Sequence, residues 1–453
     1  MPNRNEDLYI VEGIIKKLMQ ALENLRVAEL RKEMLSLRPR QQDAYDAMVA
    51  GQNIFITGPA GTGKTAAIKM FKQVYQESKR IAITSTTGTS AILINGTTLH
   101  SYLGIGLGKG SVESMSSLIF QRGHLRKRWT ELEVLIIDEV SMMSPVLFDK
   151  LESLARVVRH TNQRFGGIQL IMSGDFLQLP CVDSNEFCFH ASAWVKCIDS
   201  TFYLTEIIRQ SDPVFQECLN RVRLADLTDE VVALLSSRVG AKLENDHGIQ
   251  PTRLFPMNRD VDSINTRELD RAGSDGRVFY QYDMEPTVYG PARNRVAILE
   301  KFVKGFSAPE VLQLCVGAQV LLLYNMDVAN KLANGSRGVV VRFANDLPVV
   351  KFLSGEERVI DYHTWEFDEN DVRVLQLIQI PLKLAYAVSI HRSQGCSLDY
   401  AEVDLANVFE YSQAYVALSR VKTLEGLSIS SINFELLRAH PEAVRYYQDL
   451  ETQ

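Results

Sequence analysis

The chain has 453 residues, 46% of them apolar and 23% charged, with a formal net charge of −6. That composition belongs to an ordinary globular protein with room for roughly three domains. No apolar run approaches the ~18 residues of a membrane-spanning helix, which excludes that class. Six cysteines contain no C-x-x-C pair and eight histidines are scattered, so structural zinc is not expected and the thiols read as free in a reducing compartment. An acidic balance means that any nucleic-acid footprint must be local.

Acids at Glu6, Asp7, Glu12, Glu23, Glu29 and Glu33 lie among the bases of the first 36 residues. They argue against a mitochondrial presequence or secretory signal, so the expected compartment is nuclear or cytoplasmic, or mitochondrial only after removal of a presequence. Residues 8–37 place Val11, Ile14, Leu18, Leu22 and Leu25 at helical spacing, which predicts one or two amphipathic helices. Arg38-Pro39 breaks that pattern and a new helix begins around Gln41. A glutamine there could bond both edge groups of adenine, although a solvated helix position would also accept it.

The next stretch organises the chain. An apolar run, Asn53-Ile54-Phe55-Ile56-Thr57, enters Gly58-Pro59-Ala60-Gly61-Thr62-Gly63-Lys64-Thr65 and restarts as a helix. This is the G-x-x-x-x-G-K-T phosphate loop between strand and helix. Glycines let backbone N–H groups curl around an anion, and the helix start aims its positive end at the phosphates. Lys64 reaches the β/γ oxygens of ATP and the Thr65 hydroxyl suits Mg²⁺. A glycine-rich turn before an ordinary helix is the competing reading, which the complete pattern outweighs.

Downstream, Ile81 to Ser85 is a buried-strand candidate ending in the hydroxyl turn Thr86-Thr87-Gly88. Residues 101–130 are glycine-rich and then basic (Arg122, His124, Arg126, Lys127, Arg128), read as a solvated face with phosphate contact as the second option. Val134-Leu135-Ile136-Ile137-Asp138-Glu139 is an apolar strand ending in two acids. Behind a phosphate loop, Asp138 holds Mg²⁺ through water and Glu139 orients and deprotonates the attacking water. The strand at 168–172 ends in Gly174-Asp175-Phe176-Leu177-Gln178, where Gln178 could sense the γ-phosphate.

A second α/β half is expected to begin near Phe202, carrying Arg209, with polar loops at 244–252 and 271–276. From about 312 to 381 short strands lack helical period and read as a small barrel inserted in that half. Then come the strand-to-turn Ala387-Val388-Ser389-Ile390-His391-Arg392-Ser393-Gln394-Gly395 and the helix-like Tyr415 to Val421, with Arg420 among apolar neighbours. A buried arginine needs an anion, either a structural carboxylate or a phosphate reached from the second lobe.

Taken together in order and spacing, these segments resemble the Pif-type (petite integration frequency) DNA helicases, in the RecD-like branch of superfamily one. The likeness covers about residues 37–430 and includes Gly96 to Ser101 and the segments Asp149 to Glu152 and Phe165 to Leu170. Arg392 and Ser389 stand where the family usually has Lys and Thr. The resemblance implies two RecA-like P-loop domains in tandem, an α/β fold, with an all-β SH3-like barrel in the second. The expected layout is N-terminal helices 1–36, domain 1A at 37–200 with a wedge insertion 1B within about 101–130, domain 2A at 201–311 and 382–440, insertion 2B at 312–381, and a tail at 441–453. It also implies an ATP-dependent motor moving 5′→3′ on single-stranded DNA and unwinding duplexes, G-quadruplexes or DNA–RNA hybrids as a monomer. By carry-over Gln41, Gly58 to Thr65, Gln178, Arg209, Gly395 and Arg420 contact ATP, with Arg209 and Arg420 reaching the γ-phosphate. Thr86, Thr87, His100, Ser389 and His391 line the DNA channel. An ATP-gated DNA clamp without processive unwinding is the alternative.

Overall fold

The computed structural model describes residues 36–452 apart from 88–89, 92–93, 95, 107, 182–183, 185, 244–249, 290–294, 297–298, 300–302, 304–305, 307, 325, 328–331, 333–335 and 370–371. The expected helices within 1–35 lie outside the described residues.

The first lobe is built on six parallel strands: β1 (Ile54–Thr57), β2 (Ile81–Ser85), β3 (Thr97–Thr98), β4 (Val134–Asp138), β5 (Gln169–Gly174) and β6 (Ser200–Tyr203). Their order is β3-β2-β4-β5-β1-β6. Strands β1, β4 and β5 are buried along their whole length, as continuous apolar runs between two helical layers must be. Parallel pairing brings Thr57, Ser85, Asp138 and Gly174 to one edge of the sheet, the carboxyl edge where α/β proteins bind ligands. Because β6 pairs with β1, the second half does not begin near Phe202 as expected; that strand completes the first sheet.

Helices α1 (Pro39–Val49), α2 (Lys64–Tyr75), α3 (Leu99–Leu103), α4 (Val112–Gln121), α5 (Gly123–Glu131) and α6 (Pro145–Arg159) flank this sheet. On α6, Ser144 caps the start by accepting from Leu147 N, and Pro145 supplies a pre-set φ. Its stripe Phe148, Leu151, Leu154, Ala155 and Val158 is fully buried at helical spacing. The expected wedge region is helical: α4 and α5 bury Met115, Ile119, Leu125 and Trp129 in the same core as β4 and β5. Arg122, Arg126 and Lys127 are exposed, while Arg128 donates to Tyr102 O at 2.7 Å.

Helices α7 (Pro213–Leu224) and α8 (Asp229–Ser236) lead into the second lobe and share its core. Strand β7 (Thr252–Phe255) is followed by α9 (Asn258–Ser274), so the loop expected at 271–276 is the last turn of a helix capped at Asp275. Then comes the β-rich insertion: β8 (Tyr280–Asp283), β9 (Glu285–Val288), β10 (Val311–Leu314), β11 (Gln319–Leu322), β12 (Arg337–Ala344), β13 (Leu347–Phe352), β14 (Glu357–Val359), β15 (His363–Glu369), β16 (Val372–Gln379) and β17 (Leu382–Leu384). A five-stranded sheet β14-β13-β12-β11-β17 is accompanied by β15-β16-β9 and by the pair β10-β8. The β-rich part therefore opens at Tyr280, earlier than the expected 312, because β8 and β9 pair with strands far along the chain.

Strands β18 (Ala387–Ser389), β19 (Ala401–Leu405) and β20 (Leu427–Ile432) complete the second lobe's parallel sheet, in the order β18-β7-β19-β20. Helix α10 (Gln413–Leu418) packs on it and is buried throughout. The expected tail is instead a helix, α11 (Pro441–Glu451), which returns to the first lobe and buries Ala443 and Tyr447 in that lobe's core.

One buried ion pair joins the lobes. Arg223 of α7 donates Nη2 to Asp175 Oδ1 at 2.8 Å and Nε to Asp175 Oδ2 at 3.1 Å, with both side chains sealed from solvent. Removing one partner strands the other charge in the interior, a loss of about 3–5 kcal/mol. Arg223→Met is therefore expected to lower the unfolding free energy, read from a urea titration, by about that amount, with a matching fall in the midpoint. Arg221→Met, whose partners Glu217 and Asp226 are exposed, leaves it unmoved.

Candidate functional site

The phosphate loop follows β1 and hands over to α2 through Gly63, held at φ 75° as the residue before the helix. Gly61 lies at φ 84° with its back against Arg209: a Cβ there would come within 2.6 Å of Arg209 Cβ. Only glycine fits that approach. The loop is braced from outside. Ile208 N donates to Gly61 O at 2.8 Å, and Tyr415 Oη from the second lobe accepts from Ala60 N at 2.8 Å. Lys64 Nζ folds over the loop, donating to Gly58 O at 2.8 Å and Pro59 O at 3.0 Å. Burial pushes its ammonium below the ordinary lysine value, while Asp175, Glu139 and Asp138 pull it back.

Facing the lysine, β4 ends at Asp138 and Glu139 follows it. Glu139 sits at φ 56°, a left-handed conformation disfavoured for a residue with a Cβ. Thr86 holds this turn by donating Oγ1 to Glu139 O at 2.8 Å. Burial, with the Asp138 charge beside it, pushes the Glu139 carboxyl up to about 7. Burial raises Asp138 as well. The Glu139 carboxylate is gripped across the seam, where Gln394 Nε2 of the second lobe donates to its Oε2 at 3.0 Å.

Two arginines close the site. Arg420, 2% exposed, follows α10 and donates to Val416 O at 2.8 Å and Ser419 Oγ at 2.9 Å. Burial lowers its affinity for a proton and Glu139 is the strongest influence restoring it. Arg209 donates to Ser419 O at 2.9 Å; burial and the charge of Arg420 push its guanidinium down to about 9. Arg209 does not reach in from the opposite lobe as expected. It follows β6 of the first sheet and lies on the phosphate loop, its N–H donating to Gly61 O at 3.2 Å. Arg420 is the cross-lobe arginine.

The donor set fits a nucleoside triphosphate with a divalent ion. A glycine loop, one lysine and two mutually repelling guanidiniums call for a polyanion, and the Thr65 hydroxyl with the Asp138 carboxylate offers hard oxygen ligands.

Comparison with known proteins agrees with this geometry. The model of the PIF1-like helicase family matches residues 36–238, and that of the DNA helicase Pif1 2B domain matches residues 301–343. The ATP-dependent DNA helicase PIF1 of Xenopus laevis is 40% identical over 426 residues, covering 92% of this chain and 65% of its own length. An uncharacterized protein, 030L, of Invertebrate iridescent virus 6 is 38% identical, covering 94% of this chain and 96% of its own. Among solved structures, the Pif1 helicase of Candida albicans superimposes with a TM-score of 0.77 at 34% identity, covering 91% of this chain and 99% of that one. A Bacteroides Pif1 helicase in complex with ADP-AlF3 and single-stranded DNA gives 0.64 at 27% identity, with 92% and 98% covered.

The chain belongs to the PIF1-like helicase family.

That is a family of ATP-dependent DNA helicases, and the two parallel sheets are its tandem RecA-like domains. The chain spans 65% of the Xenopus relative's length. Of the residues expected at the nucleotide, Gln41 is buried on the phosphate loop. Its Nε2 donates to Thr62 O at 3.0 Å and Gly63 O at 3.2 Å, and its Oε1 accepts from Arg38 N at 2.9 Å. Gln178 is buried, with Asp175 Oδ2 3.5 Å from its Nε2, and Gly395 takes φ 80° after Gln394.

The expected DNA-lining residues fare unequally. Thr86, Thr87, His100 and His391 are half-buried. Thr87 bonds Ser90 at 2.9 Å, burial pushes the His100 imidazole down, and His391 Nε2 meets Glu410 Oε2 at 2.9 Å. Ser389 contradicts the expectation in this conformation: at the end of β18 it is 1% exposed. Sequence reasoning gave no role to Gln394, Asp175, Arg223, Tyr415 or Tyr447. Arg223 carried a signal, since it falls at helical spacing after Phe215 and Leu219 on the apolar face of α7.

Glu139 must be ionised to accept a proton from water, so kcat/KM for ATP is expected to rise with pH through a midpoint near 7. Gln394→Ala removes a hydrogen bond that favours the ionised form and is expected to move that midpoint upward, as read from ATPase pH profiles.

Proposed function

We propose that this chain is an ATP-driven motor that moves 5′→3′ on single-stranded DNA and opens duplexes at single/double-strand junctions, with G-quadruplexes and DNA–RNA hybrids as further substrates. The observation that carries the reading is the meeting of Gln394 and Arg420 from one lobe with Glu139 and Lys64 from the other. ATP would sit in the phosphate loop, and Thr65 and Asp138 would hold Mg²⁺, which would supply positive charge to offset that of the triphosphate. Lys64 would leave the Gly58 and Pro59 carbonyls for phosphate oxygens, and Glu139, poised near neutrality, would take the proton of the attacking water. Arg420 would trade the Val416 carbonyl and the Ser419 hydroxyl for the γ-phosphate and draw the lobes together; hydrolysis would remove the anion and let them part. Closing and opening become steps if the lobes hold the strand unequally in the two states.

A clamp that binds DNA under ATP control without unwinding is the competing reading; the presence of Glu139 speaks against it, since a clamp can dispense with a water-activating base. A strand-displacement assay on duplexes with either a 5′ or a 3′ single-stranded tail separates the two. Displacement is expected with the 5′ tail alone, and Lys64→Ala is expected to lower DNA-stimulated ATP hydrolysis at least 100-fold. Hydrolysis with no displacement from either tail would favour the clamp.

A further inference from the structure

Helix α11 leaves the second lobe and lies on the first, against the underside of the ATP site. Tyr447 is 2% exposed, and its hydroxyl shares a 2.5 Å hydrogen bond with Thr57 Oγ1, the last residue of β1 before Gly58. The same oxygen accepts from Phe176 N at 3.0 Å, next to Asp175 and two residues before Gln178. The Arg223 guanidinium lies 4.4 Å from the Tyr447 ring centre while its nitrogens grip Asp175. Tyr446, beside it, stacks on Phe189 at 4.5 Å and fixes the helix in place. One phenol thus touches the root of the phosphate loop, the turn carrying Gln178, and the arginine that joins the lobes.

We infer that Tyr447 is a positioning residue for ATP hydrolysis: through its hydroxyl it holds the phosphate loop and the Asp175–Gln178 turn at a fixed separation, so that the carboxy-terminal helix is part of the catalytic frame. This rests on the ATPase reading above, yet it concerns a residue that touches neither nucleotide nor metal. A packing role needs only the ring; a positioning role needs the oxygen, because Thr57 and Phe176 N–H have their buried partner in it.

The test is Tyr447→Phe in the full chain, which keeps the ring and deletes the oxygen. Single-strand-stimulated ATPase should show kcat reduced at least fivefold with KM for ATP within twofold. Hydrogen exchange of the unliganded protein should quicken at 57–64 and 175–178 while α11 stays protected. An unchanged kcat beside a lowered melting temperature, or a KM that rises in step with the loss, would overturn the inference. Thr57→Val removes the other end of the bond and should reproduce the effect, and the double variant should be no worse than the poorer single; additive losses would overturn it. If wild-type protein shows no ATPase, the helicase reading fails, and hydrogen exchange alone decides whether the hydroxyl ties the two segments.

Discussion

Two positive charges that repel one another are buried together beside a lysine at the seam of this molecule. Burial lowers both guanidiniums, the charge of Arg420 lowers Arg209 further, and both are hydrogen-bonded to neutral groups, the carbonyls of Ser419 and Val416 and the Ser419 hydroxyl. Carbonyls satisfy guanidinium hydrogens but do not neutralise charge, and a low-dielectric site amplifies the imbalance. The carboxylates opposite are themselves raised by burial. A site built this way is poised for a strong anion with a divalent ion, and it gains most when the lobe bearing Arg420 comes close. On the proposed motor reading, nucleotide binding and lobe closure would be the same electrostatic event.

For such an event to produce motion, the lobes must be joined somewhere and free elsewhere. The joint is visible: Asp175 and Arg223 form a sealed bidentate pair, Ala60 and Leu179 of the first lobe pack into the second lobe's core, and α11 crosses back beneath it. Replacing a hydrophobic hinge with a buried ion pair fixes geometry more than it adds stability, since a charge pair tolerates few alternative arrangements. The contacts made by Gln394 and Arg420 are of another kind. Gln394 reaches Glu139 through a single hydrogen bond, and Arg420 rests on Val416 O and Ser419 Oγ of its own lobe, neutral groups that a phosphate would outcompete.

Much of the nucleotide site was legible in the sequence because its chemistry is local. Glycine spacing before Lys64 and an apolar run ending at Asp138 are both short-range patterns, and the structure brings them to one sheet edge. What escaped notice depends on long-range pairing. Nothing in Ser200 to Tyr203 says which of two sheets it joins; its partner β1 lies far back in the chain. Strand β9 likewise finds β16, and β8 finds β10, so the insertion's true start was invisible to a local reading. The last residues are short and polar enough to read as a tail, until Ala443 and Tyr447 are seen filling a core whose other walls come from the first lobe. Gln41 was read for an adenine edge; its bonds to the carbonyls of Thr62 and Gly63 are a long-range contact that the local sequence does not announce.

The account stands on Arg420 exchanging the Val416 carbonyl for phosphate when the lobes close. A structure of the chain with ADP and aluminium fluoride tests this most directly. The account predicts the Arg420 guanidinium within hydrogen-bonding distance of the fluoride that mimics the γ-phosphate, with its bond to Val416 O broken. An Arg420 side chain still seated on Val416 O, with the nucleotide bound and the seam unchanged, would contradict it.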